Sequence, residues 1–232
     1  MKNSLTTLPQ SMGNLQQLEE CIADQNLISS LPASMGSIKT LSVLQLKKNK
    51  LADLPNEFGK LKNLKIVEIA NNNFTHFDSC FYTMTGLNLL NASNNAIFRL
   101  PPEIGNLKKL KELNLSFNQI KEIPSTIKNL QMLEVLNLEK NEMKSLPAAI
   151  NELKNLKVLI LTGNNQLSSL PANLGGLQNL ETLVLSYTNI QTLPPSVYAL
   201  KKLRTIMLVG NGFAAGQREI LKKNMPGMDI RY

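Results

Sequence analysis

The sequence predicts a solenoid of stacked repeats on three observations: a motif returning every 23 residues, a period-two run of leucines inside it, and an asparagine and a proline at fixed places behind that run. Taking Leu107 to Asn129 as the reference, the unit reads LxxLxxLxLxxNxIxxLPxxIxx. Units open at Leu15, Ile38, Leu61, Met84, Leu107, Leu130, Leu153, Leu177 and Leu200, with one step of 24 where Asn165 or Gln166 is inserted. A fixed period of this length changes the reading of every motif within it.

Each part of the unit has a physical reading. LxxLxL alternates with period two, the pattern of a short strand that sends leucines to one face and variable residues to the other. The asparagine column, Asn26, Asn49, Asn72, Asn95, Asn118, Asn141, Asn164 and Asn211, is broken only by Thr188. An amide that donates and accepts at once satisfies turn backbone groups a stack would otherwise bury unpaired, so these residues predict a structural ladder. Proline recurs at Pro9, Pro32, Pro55, Pro101, Pro124, Pro147, Pro171 and Pro194, with Asp78 in the one gap. Proline removes a donor and restricts its predecessor, which disfavours a long helix on the outer side. One unit cannot bury its own leucine face, so neighbours must close the core.

With LPxxI in nearly perfect phase over residues 3 to 212, the chain resembles the leucine-rich-repeat family, and the 23-residue period resembles the subclass found in Ras-associated scaffold proteins and many bacterial proteins. The resemblance implies an α/β horseshoe with a parallel β-sheet on the concave side and turns or short 3-10 or α segments on the convex side. The expected organisation is a partial repeat over 1–14, nine repeats over 15–212 and a C-terminal cap over 213–232. Gln217 to Pro226 reads as a short amphipathic helix closed by proline, and Met228 to Tyr232 as a final strand covering the last rung. Asn3 to Met12 already aligns with the second half of a unit and no capping segment precedes it, so the expectation is a fragment of a longer protein or else a naturally short one with a frayed start. His76 to Met84 replaces the Leu-Pro run, and is read as a locally different turn packed by Phe77 and Phe81 in preference to a partner-binding patch on the convex side.

No arrangement for chemistry stands out. His76 is the single histidine, and its neighbours in phase one unit later, Phe98, Arg99 and Leu100, offer neither nucleophile nor carboxylate. There is no phosphate-binding glycine loop and no metal-ligand spacing, so no enzyme activity, cofactor or metal is expected. Cys21 and Cys80 sit in no C-x-x-C pair and read as free thiols. Free thiols and a start without a secretory signal favour the cytoplasm, while a truncated start leaves secretion or the cell surface open. Apolar runs such as Val158 to Leu161 are too short to span a membrane.

The net charge of +8 raises the question of an anionic partner. Lys111, Glu134, Lys157, Glu181 and Arg204 share one repeat position and alternate in sign, which predicts a self-neutralising column, while Lys62, Lys108, Lys109, Lys154, Lys201 and Lys202 leave that edge basic. The bases are not interleaved with aromatics, so nucleic acid is disfavoured.

Strand positions pointing away from the leucines form the candidate face. One column reads Ile22, Gln45, Glu68, Asn91, Asn114, Asn137, Ile160, Val184 and Met207, polar in the middle and apolar at the end. Val158, Ile160, Val184, Tyr187, Met207 and Val209 are expected to form one apolar patch, with Phe117 nearby and Asn91, Asn114 and Asn137 supplying hydrogen bonds. The resulting expectation is a monomeric, non-enzymatic scaffold that binds a protein or peptide on its concave face. A recognition domain of a larger kinase, GTPase or ubiquitin ligase, and a nucleic-acid or anionic-surface binder, are the alternatives.

Overall fold

A computed structural model describes residues 3–232; Met1 and Lys2, the first residues of the expected partial repeat, lie outside the described residues. Ten strands follow one another in a single parallel sheet in chain order: β1 (Glu20–Ile22), β2 (Val43–Gln45), β3 (Ile66–Glu68), β4 (Leu89–Asn91), β5 (Glu112–Asn114), β6 (Val135–Asn137), β7 (Val158–Ile160), β8 (Thr182–Val184), β9 (Thr205–Met207) and β10 (Asp229–Arg231). From β1 to β6 the register advances by one 23-residue unit per strand, pairing Cys21 with Leu44, Leu44 with Val67, and so on. This is the predicted α/β solenoid.

The core follows from the repeat. In the reference unit Leu107, Leu110, Leu113, Leu115, Ile120, Ile123 and Ile127 are all buried. Only the middle residue of each strand β1 to β9 is buried, so the two flanking residues face outward. The outer side is built from 3-10 segments of three to five residues, such as Ser125–Asn129 and Ala148–Glu152. In seven of the eight, a proline in extended conformation is the residue before the first turn. Its carbonyl accepts the first turn's bond, as from Ile127 N–H to Pro124.

Where proline is missing, Asp78 precedes a single turn of α-helix, α1 (Ser79–Thr83). Phe81 is wholly buried there, edge-on to Phe77 at 4.9 Å and to Phe74 at 6.0 Å between ring centres. A larger ring cluster thus fills the space that a Leu-Pro turn fills elsewhere.

The asparagines bind unit to unit. Asn118 Nδ2 donates to the carbonyls of Leu115 in its own unit and Ala92 in the one before, and its Oδ1 accepts from Ile97 N–H at 2.9 Å. The same pattern recurs at Asn49, Asn72, Asn95, Asn141 and Asn164. The residue before each ladder position has left-handed backbone: Gln25, Lys48, Asn71, Asn94, Phe117, Lys140, Gly163, Tyr187 and Gly210. Left-handed backbone costs a side-chain-bearing residue about 1–2 kcal/mol. Here it turns the N–H onto the next unit, as from Phe117 to the Glu139 carbonyl at 2.7 Å and Tyr187 to Val209 at 2.7 Å.

At the far end, α2 (Ala215–Asn224) begins two residues before the expected helix and ends two before Pro226. Leu221 and Met225 are buried beneath it. The last strand is shorter than expected; β10 pairs Arg231 with Met207, and Arg231 is also bound to Asp229 at 2.9 Å. A charged pair on an edge strand resists further strand addition.

Candidate binding face

The outward residue that ends each strand forms a continuous row across the sheet. Its register runs Glu68, Asn91, Asn114, Asn137, Ile160, Val184, Met207, each beside the next. Ile160, Val184 and Met207 are therefore neighbours, half-buried along the row, and Val158 lies on the same face two residues before Ile160. Tyr187 is 57% exposed and Val209 36%, so the cap does not cover this end of the sheet.

Tyr187 and Phe117 belong to the left-handed column. A Cβ on Gly210 would run into the Tyr187 ring, so glycine there meets both a positive φ and the ring above it. Phe117, 43% exposed, carries the Lys140 ammonium 4.9 Å from its ring centre and lies two units before Ile160, where the apolar part of the row begins, with the unit of Asn137 between them. It is therefore separate from the apolar cluster.

Asn91, Asn114 and Asn137 are already half committed. The Oδ1 of Asn91 accepts from Ser93 N–H and Oγ–H, that of Asn114 from Ser116 N–H and Oγ–H, and that of Asn137 from Glu139 N–H. These bonds fix the amides, and among the described residues their Nδ2 groups have no partner. The three line a depression of about 210 Å³ with Glu68, Leu89, Glu112, Val135 and Ile160. Leu89 and Val135 belong to an outward column at the first strand position, Val43, Ile66, Leu89, Val135 and Val158, from which only Val158 was expected; the period-two pattern already contained it. Farther toward β1, Lys47 is held between Glu68 and Asp24, and the Glu68 carboxylate raises the Lys47 pKa.

The alternating charge column closes less than expected. Lys157 meets Glu134 at 2.6 Å, which lowers the glutamate pKa and raises that of the lysine, but no other members of the column lie within ion-pair distance among the described residues. His76 is exposed and does have a carboxylate beside it, Asp78 at 3.4 Å, a partner from its own unit. That carboxylate also accepts from Leu54 N–H, a structural role. Among the described residues no cluster of three or more His, Cys, Asp or Glu could hold a metal, and no helix is long and apolar enough to cross a membrane.

Burial pushes both thiols up, Cys80 to about 12 with the Asp78 carboxylate adding to the shift. A raised pKa suppresses the reactive thiolate at neutral pH. The native protein should therefore show no fast reaction with an aromatic disulfide reagent, and two reactive thiols after unfolding in guanidinium. A fast native phase would contradict the burial of Cys21 and Cys80.

Comparison with known proteins agrees with this geometry. A family model described as leucine rich repeat matches residues 39–97 and 154–213, and a second, leucine-rich repeat region, matches 102–168. No curated protein matches the chain. Among solved structures, it is similar to the leucine-rich-repeat ectodomain of the membrane receptor kinase GASSHO1/SCHENGEN3 from Arabidopsis thaliana, in complex with CASPARIAN STRIP INTEGRITY FACTOR 2, at 30% identity and TM-score 0.83, over 99% of this chain and 28% of that one. It is similar to the plant peptide hormone receptor RGFR1 in complex with RGF2, at 26% identity and TM-score 0.70, over 88% of this chain and 38% of that one. Functional-domain InlJ from Listeria monocytogenes, at 23% identity and TM-score 0.80 over 99% of this chain and 46% of that one, shares the fold. The chain thus spans less than half the length of each. The two models together match residues 39–97 and 102–213, more than half of the chain, and the chain belongs to the leucine-rich-repeat family.

Proposed function

We propose that the chain is a protein-interaction scaffold that binds a protein or peptide on its concave face. The observation that carries this reading is the row itself: fixed asparagine amides with free Nδ2 groups lead directly into Ile160, Val184 and Met207, beside exposed Tyr187. An apolar centre with hydrogen-bond donors at its border is the anatomy of a protein interface. Two of the similar structures are receptors in complex with named factors, which supports peptide binding as the class. They also favour a second reading, the recognition part of a larger signalling protein, since this chain spans 28% and 38% of them.

The test is capture of a partner by wild-type chain, Val184→Asp and Tyr187→Ala, with circular dichroism as the check on folding. Both variants should lose capture and keep the wild-type spectrum. Undiminished capture by both folded variants would discard the patch.

A further inference from the structure

Unit four departs from its neighbours again where it turns from α1 toward β4. Unit three has Lys62 and Asn63 at these positions and unit five has Lys108 and Lys109, but unit four has Thr85 and Gly86. The Gly86 backbone approaches the Lys62 carbonyl so closely that a Cβ would collide with it. Two small residues between long ones leave a notch of about 700 Å³, lined by Lys62, Asn106, Lys108 and Lys109 with Thr85 and Gly86 between them.

The charged groups that line this notch are all cations, although the Glu103 and Asp78 carboxylates act on Tyr82 in its wall. No aspartate or glutamate is among its lining residues. Among the described residues, none of the three lysines lies within 4.0 Å of a carboxylate, whereas Lys47, Lys121, Lys128 and Lys157 each do. Lys62 donates to the Thr83 carbonyl instead, which holds its ammonium at the wall of the notch. Three unpaired cations in one concavity focus the potential and concentrate anions there. The volume falls within the range of small-molecule sites, about 300–1,000 Å³.

We propose that this notch binds a small molecule bearing two or more phosphates, with Lys62, Lys108 and Lys109 as point charges and Asn106 and Thr85 donating to phosphate oxygens. Lysine serves phosphate in this way, as a charge without the bidentate geometry that arginine imposes. Several phosphates match three cations better than one does. The site lies away from the row of Asn91 to Met207 and does not depend on what that row binds.

Calorimetric titration of the full chain with tripolyphosphate at low ionic strength tests the proposal, with inorganic phosphate and a single-stranded oligonucleotide as comparison ligands. Tripolyphosphate should bind at one site, about tenfold or more tighter than inorganic phosphate, and weaken as salt rises. Lys108→Ala combined with Lys109→Ala should weaken it about tenfold or more, whereas Lys201→Ala with Lys202→Ala, removing the same charge from another part of that edge, should change it less than about twofold. Thr85→Glu, which puts a carboxylate into the notch at an exposed position, should abolish binding with the melting temperature unchanged. Absence of saturable binding, or equal loss in the two double variants, would overturn the site. Tighter oligonucleotide binding with equal loss in both double variants would assign the lysines to a diffuse nucleic-acid surface instead.

Discussion

Asn118→Ala should cost about 2–3 kcal/mol of folding free energy in denaturant unfolding, since a buried polar group left without a partner costs about 1–3 kcal/mol. Asn118 is 7% exposed, and its loss strands the Ile97 N–H and withdraws a donor from the Ala92 carbonyl. Asn63 offers the control. Its Nδ2 also donates to a carbonyl of the preceding unit, Lys39, but in an exposed setting where water can replace it. Asn63→Ala should therefore cost at most about 1 kcal/mol. Similar losses for the two would show that the ladder is not what holds adjacent units together.

Phe81→Ala should lower stability by about 3–5 kcal/mol, the range for removing a large buried ring. The ring is fully buried and touches Phe74 and Phe77, so truncation empties the centre of a cluster rather than its margin. Phe98, 54% exposed one unit later, should tolerate alanine with little change in melting temperature. A loss below about 1 kcal/mol for Phe81→Ala would mean that α1 collapses onto the cavity.

The strands, the leucine core and the asparagine ladder were legible because each rests on a side chain whose chemistry recurs in phase. The left-handed column was not, because the position is occupied by Gln25, Lys48, Asn71, Phe117 and Tyr187 alike. Its constraint comes from the next unit's carbonyl, which no single unit contains. The segment after His76 was visibly irregular, yet that it forms α-helix depends on three rings meeting in space. The alternating charges were legible as a pattern but not as contacts, since five side chains in one column need not reach one another and only Glu134 and Lys157 do. On the concave face, alternation alone identified Ile160, Val184 and Met207 as outward. It could not reveal that the Oδ1 atoms of Asn91, Asn114 and Asn137 are spent on their own turns, because that depends on the backbone two residues on.

The inserted residue near Asn165 and the threonine that stands for asparagine at position 188 fit one another structurally. The longer turn brings Leu167 N–H back onto the Asn164 carbonyl at 2.9 Å, so unit seven leaves no orphan donor for unit eight to satisfy. The Thr188 side chain accordingly bonds only within its own unit, to the Leu185 carbonyl and from Ile190 N–H, while the Thr188 N–H donates onward to Asn211 Oδ1 of unit nine. In an array whose stability is a chain of nearest-neighbour couplings, a link without the amide clasp is weaker than the clasped links on either side of it, at Asn164 and Asn211. Under heat or mechanical load the array should therefore open first between β7 and β8, with the segment that carries Tyr187 and Met207 leaving together with the cap.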